Sequence, residues 1–110
     1  MKNRQIRFIA EAARWFDKVN GNTYHSSRIT RVRDGQVITV FFQYGYGDMY
    51  RQTALKAMWD AGWFNNYKQS DSKKRYGVND IYSIEREHNY PIYWNVTDGL
   101  KRDCVTNGTI

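Results

Sequence analysis

The sequence predicts an α+β fold, an antiparallel sheet with one or two helices packed on one face. Three observations predict it. The first half alternates β-rich segments with the tight-turn pairs at 20–21 and 34–35. Residues 49–61 show helical periodicity. Two further β-rich segments flank the turn pair at 98–99. The sheet is therefore expected to comprise a three-stranded meander plus a C-terminal hairpin.

The first element, residues 4–16, fits two patterns. Apolar residues at positions 6, 8, 10 and 12 alternate with polar neighbours as in a half-buried strand, whereas positions 6, 9, 10 and 13 form a helical stripe. We predict a strand because the segments that follow are sheet-like. Residues 37–42 are almost wholly apolar, which is typical of a central strand covered on both faces. Residues 4–44 then form a three-stranded antiparallel meander.

A helix is predicted over Met49–Ala61, because its apolar residues share one face. Asp48 is a suitable N-cap, and Gly62 is suited to the position that follows the helix. Residues 65–79 are polar and indicate a loop, after which Asn79 or Asp80 begins a short helix that ends near His88.

The C-terminal segments Ile92–Val96 and Leu100–Val105 are predicted to pair as a hairpin. The expected order is β-β-β-α-α-β-β. A chain of 110 residues corresponds to one domain, residues 1–110.

Composition narrows the classes of partner. Nine Tyr, five Phe and four Trp exceed what a core of this size needs, so several rings are expected at the surface, where they favour a binding partner. A net charge of +6 favours polyanions such as nucleic acid. A charge of this size is also consistent with ordinary solubility.

Targeting and redox features are typical of a protein of a reducing cytoplasm. Cys104 is the only cysteine, which excludes a disulfide within the chain and a cysteine-rich zinc site. It is expected to be a buried thiol on a strand. The N-terminus lacks the apolar core of a signal peptide, and no apolar run reaches membrane-spanning length. We therefore expect no membrane association.

A basic and aromatic surface is the candidate binding site. Alternation along the second strand places Arg31 and Arg33 on one face and Arg28 on the other. Rings can stack on unpaired bases while Arg and Lys bind phosphates. The alternative is a solvated sheet face whose Arg stems cover apolar surface. The predicted nucleic-acid or partner site comprises Trp15, Lys18, Tyr24, Arg28, Arg31, Arg33, Tyr46, Lys73, Lys74 and Arg75.

Catalytic and cofactor chemistry have no supporting motif. The Tyr44–Asp48 segment lacks the Lys and Ser/Thr of a nucleoside-triphosphate loop, so its glycines are assigned to a tight turn. His25 and His88 lack metal-binding spacing. His25 and Ser26 point to opposite faces of a strand, which disfavours a hydrolase triad with Asp17. We predict no enzyme activity, no cofactor and no metal site.

Three blocks of the chain resemble a family of small uncharacterised bacteriophage and prophage proteins. The blocks are WFDKVNGNTYHSSRITR at residues 15–31, YGYGD with YRQTA at 44–54, and NVTDGLKRDC at 95–104. The resemblance implies a phage origin but carries over no catalytic residue. Small phage proteins of this kind commonly act by binding. Nucleic acid is the preferred partner, and the alternative is an inhibitor or anti-defence protein that binds a host protein complex or a nucleotide signal.

Overall fold

Four strands and two helices are seen in the computed structural model, which describes residues 5–45, 47–64, 85 and 90–109. The strands form one sheet in the order β3-β2-β1-β4. The α+β class is confirmed. In chain order the elements are β1 (Phe8–Asp17), β2 (Asn22–Arg31), β3 (Val37–Tyr44), α1 (Met49–Asp60), β4 (Ile92–Asp98) and α2 (Lys101–Asn107).

The N-terminal meander is confirmed, including the strand predicted for the ambiguous first segment. β1 pairs antiparallel with β2, and β2 pairs antiparallel with β3. Gly21 and Gly35 have φ of 71° and 75°, so both turns use the left-handed backbone that the turn signals predicted. Each turn is closed by a backbone hydrogen bond, from Gly21 N–H to the Asp17 carbonyl and from Gly35 N–H to the Arg31 carbonyl.

The sheet is mixed, so the prediction of a purely antiparallel sheet is wrong. β4 pairs with β1 in parallel, from Phe8 beside Ile92 to Arg14 beside Asp98. A parallel neighbour requires a long crossover, and the chain between β3 and β4 supplies it. β3 is consequently an edge strand and not the predicted central one. Within its apolar run, the adjacent Phe41 and Phe42 mark a β-bulge, since both lie opposite Ser26.

The predicted C-terminal hairpin is also wrong. After β4 the chain forms α2, and Leu100 accepts backbone hydrogen bonds from Asp103 and Cys104 in the first helical turn. Cys104 is therefore buried on a helix and not on a strand. Leu100 and Cys104 are four residues apart, which is helical spacing. The turn signal at 98–99 marks the connection from strand β4 to helix α2.

The helix α1 covers one face of the sheet and forms the main core there. Asp48 precedes α1 as predicted, but its carboxylate makes no capping hydrogen bond. Gly62, at φ 80°, ends the helix as predicted. Trp63 N–H then donates to the Met58 carbonyl, which completes a Schellman motif. The core residues are Phe8, Ala10, Ile29, Val40, Ala54, Leu55, Met58, Trp63, Phe64 and Ile92.

The helix α2 packs on the opposite face, which corrects the prediction that the helices share one face. The Ser26 hydroxyl donates to the Cys104 carbonyl at 2.5 Å, and the Cys104 thiol donates to the Ala13 carbonyl at 3.3 Å. Ser26 and the core residue Ile29 have opposite parity on β2, so their side chains lie on different faces. Burial raises the pKa of the Cys104 thiol, which keeps it neutral.

A buried ion pair links α1 to residue 85. The Glu85 carboxylate, 2% exposed, binds the Arg51 guanidinium and accepts a 2.7 Å hydrogen bond from the Trp94 indole N–H. Glu85 is helical, whereas the rest of the predicted second helix and the predicted loop at 65–79 lie outside the described residues. This polar cluster ties the crossover to both α1 and β4.

The close approach between the end of α2 and the sheet generates a stability prediction. A Cβ at Gly108 would lie 2.6 Å from the Phe42 backbone nitrogen and 2.8 Å from the Ser26 Cβ. We expect Gly108→Ala to lower the free energy of unfolding by about 1–3 kcal/mol, because neither neighbour can move away freely. Gly99→Ala is the control, since a Cβ there meets nothing within 4 Å. Urea denaturation measures both, and equal stabilities of the two variants would refute the packing argument.

Candidate nucleic-acid interface

The predicted site residues do not form one surface. Trp15, Lys18 and Tyr24 lie where β1 ends and β2 begins, whereas Arg31 and Arg33 lie at the opposite end of β2. β2 has 10 residues. Tyr24 and Arg31 are seven residues apart on it, which is roughly 23 Å at about 3.3 Å per residue. The remaining predicted residues Tyr46, Lys73, Lys74 and Arg75 lie outside the described residues.

Arg31 and Arg33 contribute to one pocket of about 270 Å³. Arg33 lies in the turn after β2, so strand alternation does not extend to it, yet the turn brings it beside Arg31. Arg7, which the sequence analysis did not single out, adds a third guanidinium group. We call this site the arginine pocket, and it is lined by Gln5, Ile6, Arg7, Phe8, Arg31, Val32, Arg33, Gly62 and Trp63.

Arg31 is held in place by its neighbours. Its guanidinium donates to both Asp34 carboxylate oxygens, at 3.0 and 2.6 Å, and to the Gln36 side-chain oxygen at 2.6 Å. It also lies 5.0 Å from the centre of the Trp63 ring. The bond from Arg31 lowers the pKa of Asp34 to about 2, and the same bond raises the pKa of Arg31. Arg31 therefore forms a fixed wall of the pocket.

Arg7 and Arg33 are the more available cations of the pocket. Both side chains are exposed. Arg7 donates one hydrogen bond to the Gln5 side chain at 3.1 Å, which is a single exposed interaction. Arg33 lowers the pKa of Asp34 through its charge, but less than Arg31 does. These two guanidinium groups can reorient toward an anion at small cost.

Arg28 has a structural role on the other face. Its Nε donates to the Asn107 carbonyl at 3.0 Å, and its Nη2 donates to the Thr109 carbonyl. The guanidinium thereby satisfies carbonyl groups at the C-terminal end of α2 that lack helical partners. A phosphate contact would have to replace these bonds.

Trp15 and Tyr24 come together with a third ring that the sequence analysis missed. Tyr24 stacks on Phe42 with centroids 5.1 Å apart and on Trp15 at 5.5 Å. These three residues, the ring row, come from three adjacent strands. The sequence placed Phe42 in an apolar central strand. The β-bulge shifts the alternation of β3 by one residue, which puts the Phe42 ring on the same face as Tyr24. Lys101 lies 5.4 Å from the centre of the Trp15 ring.

An open groove runs around the end of β1 beside the ring row. It has a volume of about 720 Å³. Phe16, Val19 and Leu100 line it, and all three are more than half exposed. Arg14 also lines the groove, but it forms an ion pair with Asp98 at 2.7 Å. We call this site the aromatic groove, and it combines apolar surface with nearly balanced charge.

The residues of the Tyr44–Asp48 turn that the structure describes have packing roles. A Cβ at Gly45, where φ is 155°, would lie 2.5 Å from the Met49 Cγ and 2.8 Å from the His25 ring. His25 is fully buried and bonds to the Gly45 carbonyl through Nδ1 at 3.2 Å. Its Nε2 is 3.0 Å from the Thr53 hydroxyl. His25 therefore joins the end of β3 to α1.

Asp17 and Ser26 are likewise engaged by other groups. The Asp17 carboxylate accepts bonds from the Val19 and Asn20 backbone N–H groups and from the Asn20 side chain, which lowers its pKa. Ser26 bonds to α2 on the face opposite His25. Within the described ranges, no three His, Cys, Asp or Glu side chains are grouped as metal ligands.

Comparison with protein-family models, curated proteins and solved structures finds no match to the chain. None of the helices described in the structure is both long and apolar enough to cross a membrane.

The burial of His25 predicts a pH dependence of stability. Burial lowers the pKa of His25 below its usual 6.5, and the bond to Gly45 offsets this only in part. The unfolded chain then binds a proton more readily than the folded one, so stability falls as the pH drops below about 6.5. We expect the urea midpoint of the wild type to fall more between about pH 7.5 and 5.5 than that of His25→Gln. An equal decrease of the urea midpoint in both proteins would show that His25 does not cause the pH dependence.

Proposed function

We propose that the protein is a non-enzymatic, nucleic-acid-binding protein of bacteriophage origin that holds backbone phosphates in the arginine pocket. The observation that carries the proposal is the convergence of Arg7, Arg31 and Arg33 on one pocket of about 270 Å³. Arg31 is already paired with the Asp34 carboxylate, so the positive charge that the pocket offers to an anion is that of Arg7 and Arg33. The phage origin rests on the sequence resemblance.

The chemistry of the pocket favours phosphate. Guanidinium groups bind phosphate oxygens through two parallel N–H donors. The donors of Arg31 are occupied by Asp34 and Gln36, whereas Arg7 and Arg33 are exposed. Trp63 stacks on Phe8 at 5.7 Å and forms a rigid floor, so Arg31 is fixed while Arg7 and Arg33 are exposed. We therefore assign the direct phosphate contacts to Arg7 and Arg33, beside the wall of the pocket that Arg31 forms.

A single strand fits this surface better than a duplex. Among the described residues, α1 packs on one face of the sheet and α2 on the other. Exposed rings such as Phe16 and Tyr44, at the other end of the sheet, can stack on unpaired bases of a strand that extends beyond the arginine pocket. Much of the chain's excess of Lys and Arg lies outside the described ranges and can add further phosphate contacts.

The test is salt-dependent binding of labelled single-stranded DNA and RNA by the double variant Arg7→Ala/Arg33→Ala. We expect weaker binding and a salt slope that is smaller by about 0.7 for each phosphate of the single strand that the variant no longer neutralises. Fluorescence anisotropy over a salt series measures both quantities. Lys56→Ala/Arg102→Ala is the matched control, because it removes the same charge and neither residue lines the pocket. If both double variants share one slope and affinity, the arginine pocket is not the site.

The aromatic groove favours a second candidate function, the binding of a host protein. Phe16, Val19 and Leu100 expose apolar surface together, and the charges beside them include Arg14 paired with Asp98. Protein interfaces favour aromatic and apolar centres with few free cations. An inhibitor or anti-defence role follows if this groove holds a segment of a host protein.

A photo-crosslinking side chain at Val19, 91% exposed, tests this second candidate in bacterial cells. We expect one host protein to be captured at Val19 and not at Tyr93, which is exposed on the outer strand β4. Leu100→Lys should abolish the crosslink at Val19, because it places a charge in the groove. Equal capture at both positions would show that the groove has no specific partner.

A further inference from the structure

The outer edge of β3 is unusually apolar for an exposed strand. β3 is the first strand in the sheet order and pairs with β2 on one side only among the described strands. Its eight residues, VITVFFQY, contain no charge and no proline. Val37, Phe41 and Tyr44 are each more than half exposed.

Natural edge strands normally carry features that block pairing with other chains. These features include charged side chains, proline and short length. β3 has none of these three features, and its composition matches segments that associate strongly through β-pairing. A β-bulge is another such feature, and β3 carries one at Phe41 and Phe42. The opposite edge strand, β4, differs because it ends in Asp98 and exposes Asn95 and Thr97. The β3 edge therefore suits a partner strand.

We propose that β3 pairs antiparallel with β3 of a second copy of the chain, which joins the two sheets into one of eight strands. This inference is independent of the proposed nucleic-acid binding. The two ends of β3 carry exposed charges of opposite sign, Arg33 before the strand and Asp48 after it. Antiparallel self-pairing brings the Arg33 end of each copy to the Asp48 end of the other. Parallel pairing would oppose like charges.

The bulge makes a symmetric register possible. Pairing about the centre of β3, between Val40 and Phe41, places Val37 opposite Tyr44 and Thr39 opposite Phe42. Residues opposite each other in an antiparallel pair must lie on the same face. Val37 and Thr39 pair with even-numbered residues of β2, on the face that carries the ring row, and both Phe42 and Tyr44 contact Tyr24 on that face. The single extra residue at Phe41 and Phe42 creates this match in the outer pairs, and the bulge itself lies at the centre of the paired segment.

The two-fold arrangement is isologous, so each interaction occurs twice. Each copy contributes the same neutral strand and the same pair of terminal charges. The exposed Phe41 side chains meet near the two-fold axis, where they are removed from water together. If a charged side chain replaces Phe41, the two symmetry-related charges of the dimer therefore lie next to each other.

The first test is sedimentation equilibrium of the full chain over a wide concentration range. We expect the wild type to dimerise and Phe41→Lys to raise the dimer dissociation constant at least about tenfold, since two added lysines meet at the axis. Tyr93→Lys is the matched control, because Tyr93 is 53% exposed on the other edge strand and Phe41 is 59% exposed. A monomeric wild type, or equal loss of dimer in both variants, overturns the proposal.

A charge swap tests the antiparallel orientation and does not depend on the folding of Phe41→Lys. Arg33→Asp and Asp48→Arg should each weaken the dimer, and the double variant should restore it. Thermal denaturation confirms that these variants of exposed residues are folded. Failure of the double variant to recover the dimer overturns the orientation. The double variant still lacks Arg33 in the arginine pocket, so dimerisation without nucleic-acid binding separates this inference from the proposed function.

Discussion

The small side chains at the centre of β1 and β2 are the constraint on which the rest of the structure depends. Ala10 and Ala12 lie on the face toward α1, while Ala13 and Ser26 lie on the face toward α2. Larger residues would hold either helix away from the sheet. Because the sheet is thin at this point, helices can pack on both sides of it, and the seven-residue α2 is fixed by polar bonds to the strands more than by apolar burial.

The anchoring of α2 determines which charged groups remain available for binding. Arg28 bonds the carbonyls at the end of α2, and Lys101 at its start lies over Trp15. The centre of that face is therefore occupied, and the surfaces suited to partners lie at the two ends of the sheet. Arginine side chains dominate one end, whereas exposed apolar groups dominate the other. A basic and aromatic face extending along β2, as the sequence suggested, does not form.

Local signals predicted the parts of the fold that are determined locally. The two turn pairs, the meander and α1 with Gly62 behind it could all be identified from neighbouring residues. The parallel pairing of β4 could not, because it depends on a crossover of more than forty residues. The conversion of Leu100–Val105 into a helix depends on bonds to Ser26 and Ala13, which are distant in sequence. Similarly, Arg31 and Asp34 are three residues apart, so their pairing could be predicted from the sequence. The carbonyl partners of Arg28 could not, because they are distant in sequence.

The proposed dimer changes the relation between the two ends of the sheet. Within one copy the arginine pocket and the ring row lie at opposite ends of β2. Antiparallel pairing of β3 places the arginine end of each copy beside the aromatic end of the other. Two phosphate sites on one rigid body would bind a long single strand with higher affinity than either site alone, provided the strand can span both. Binding to short oligonucleotides should then depend on the arginine pocket alone, whereas binding to long ones should also weaken when Phe41→Lys separates the copies.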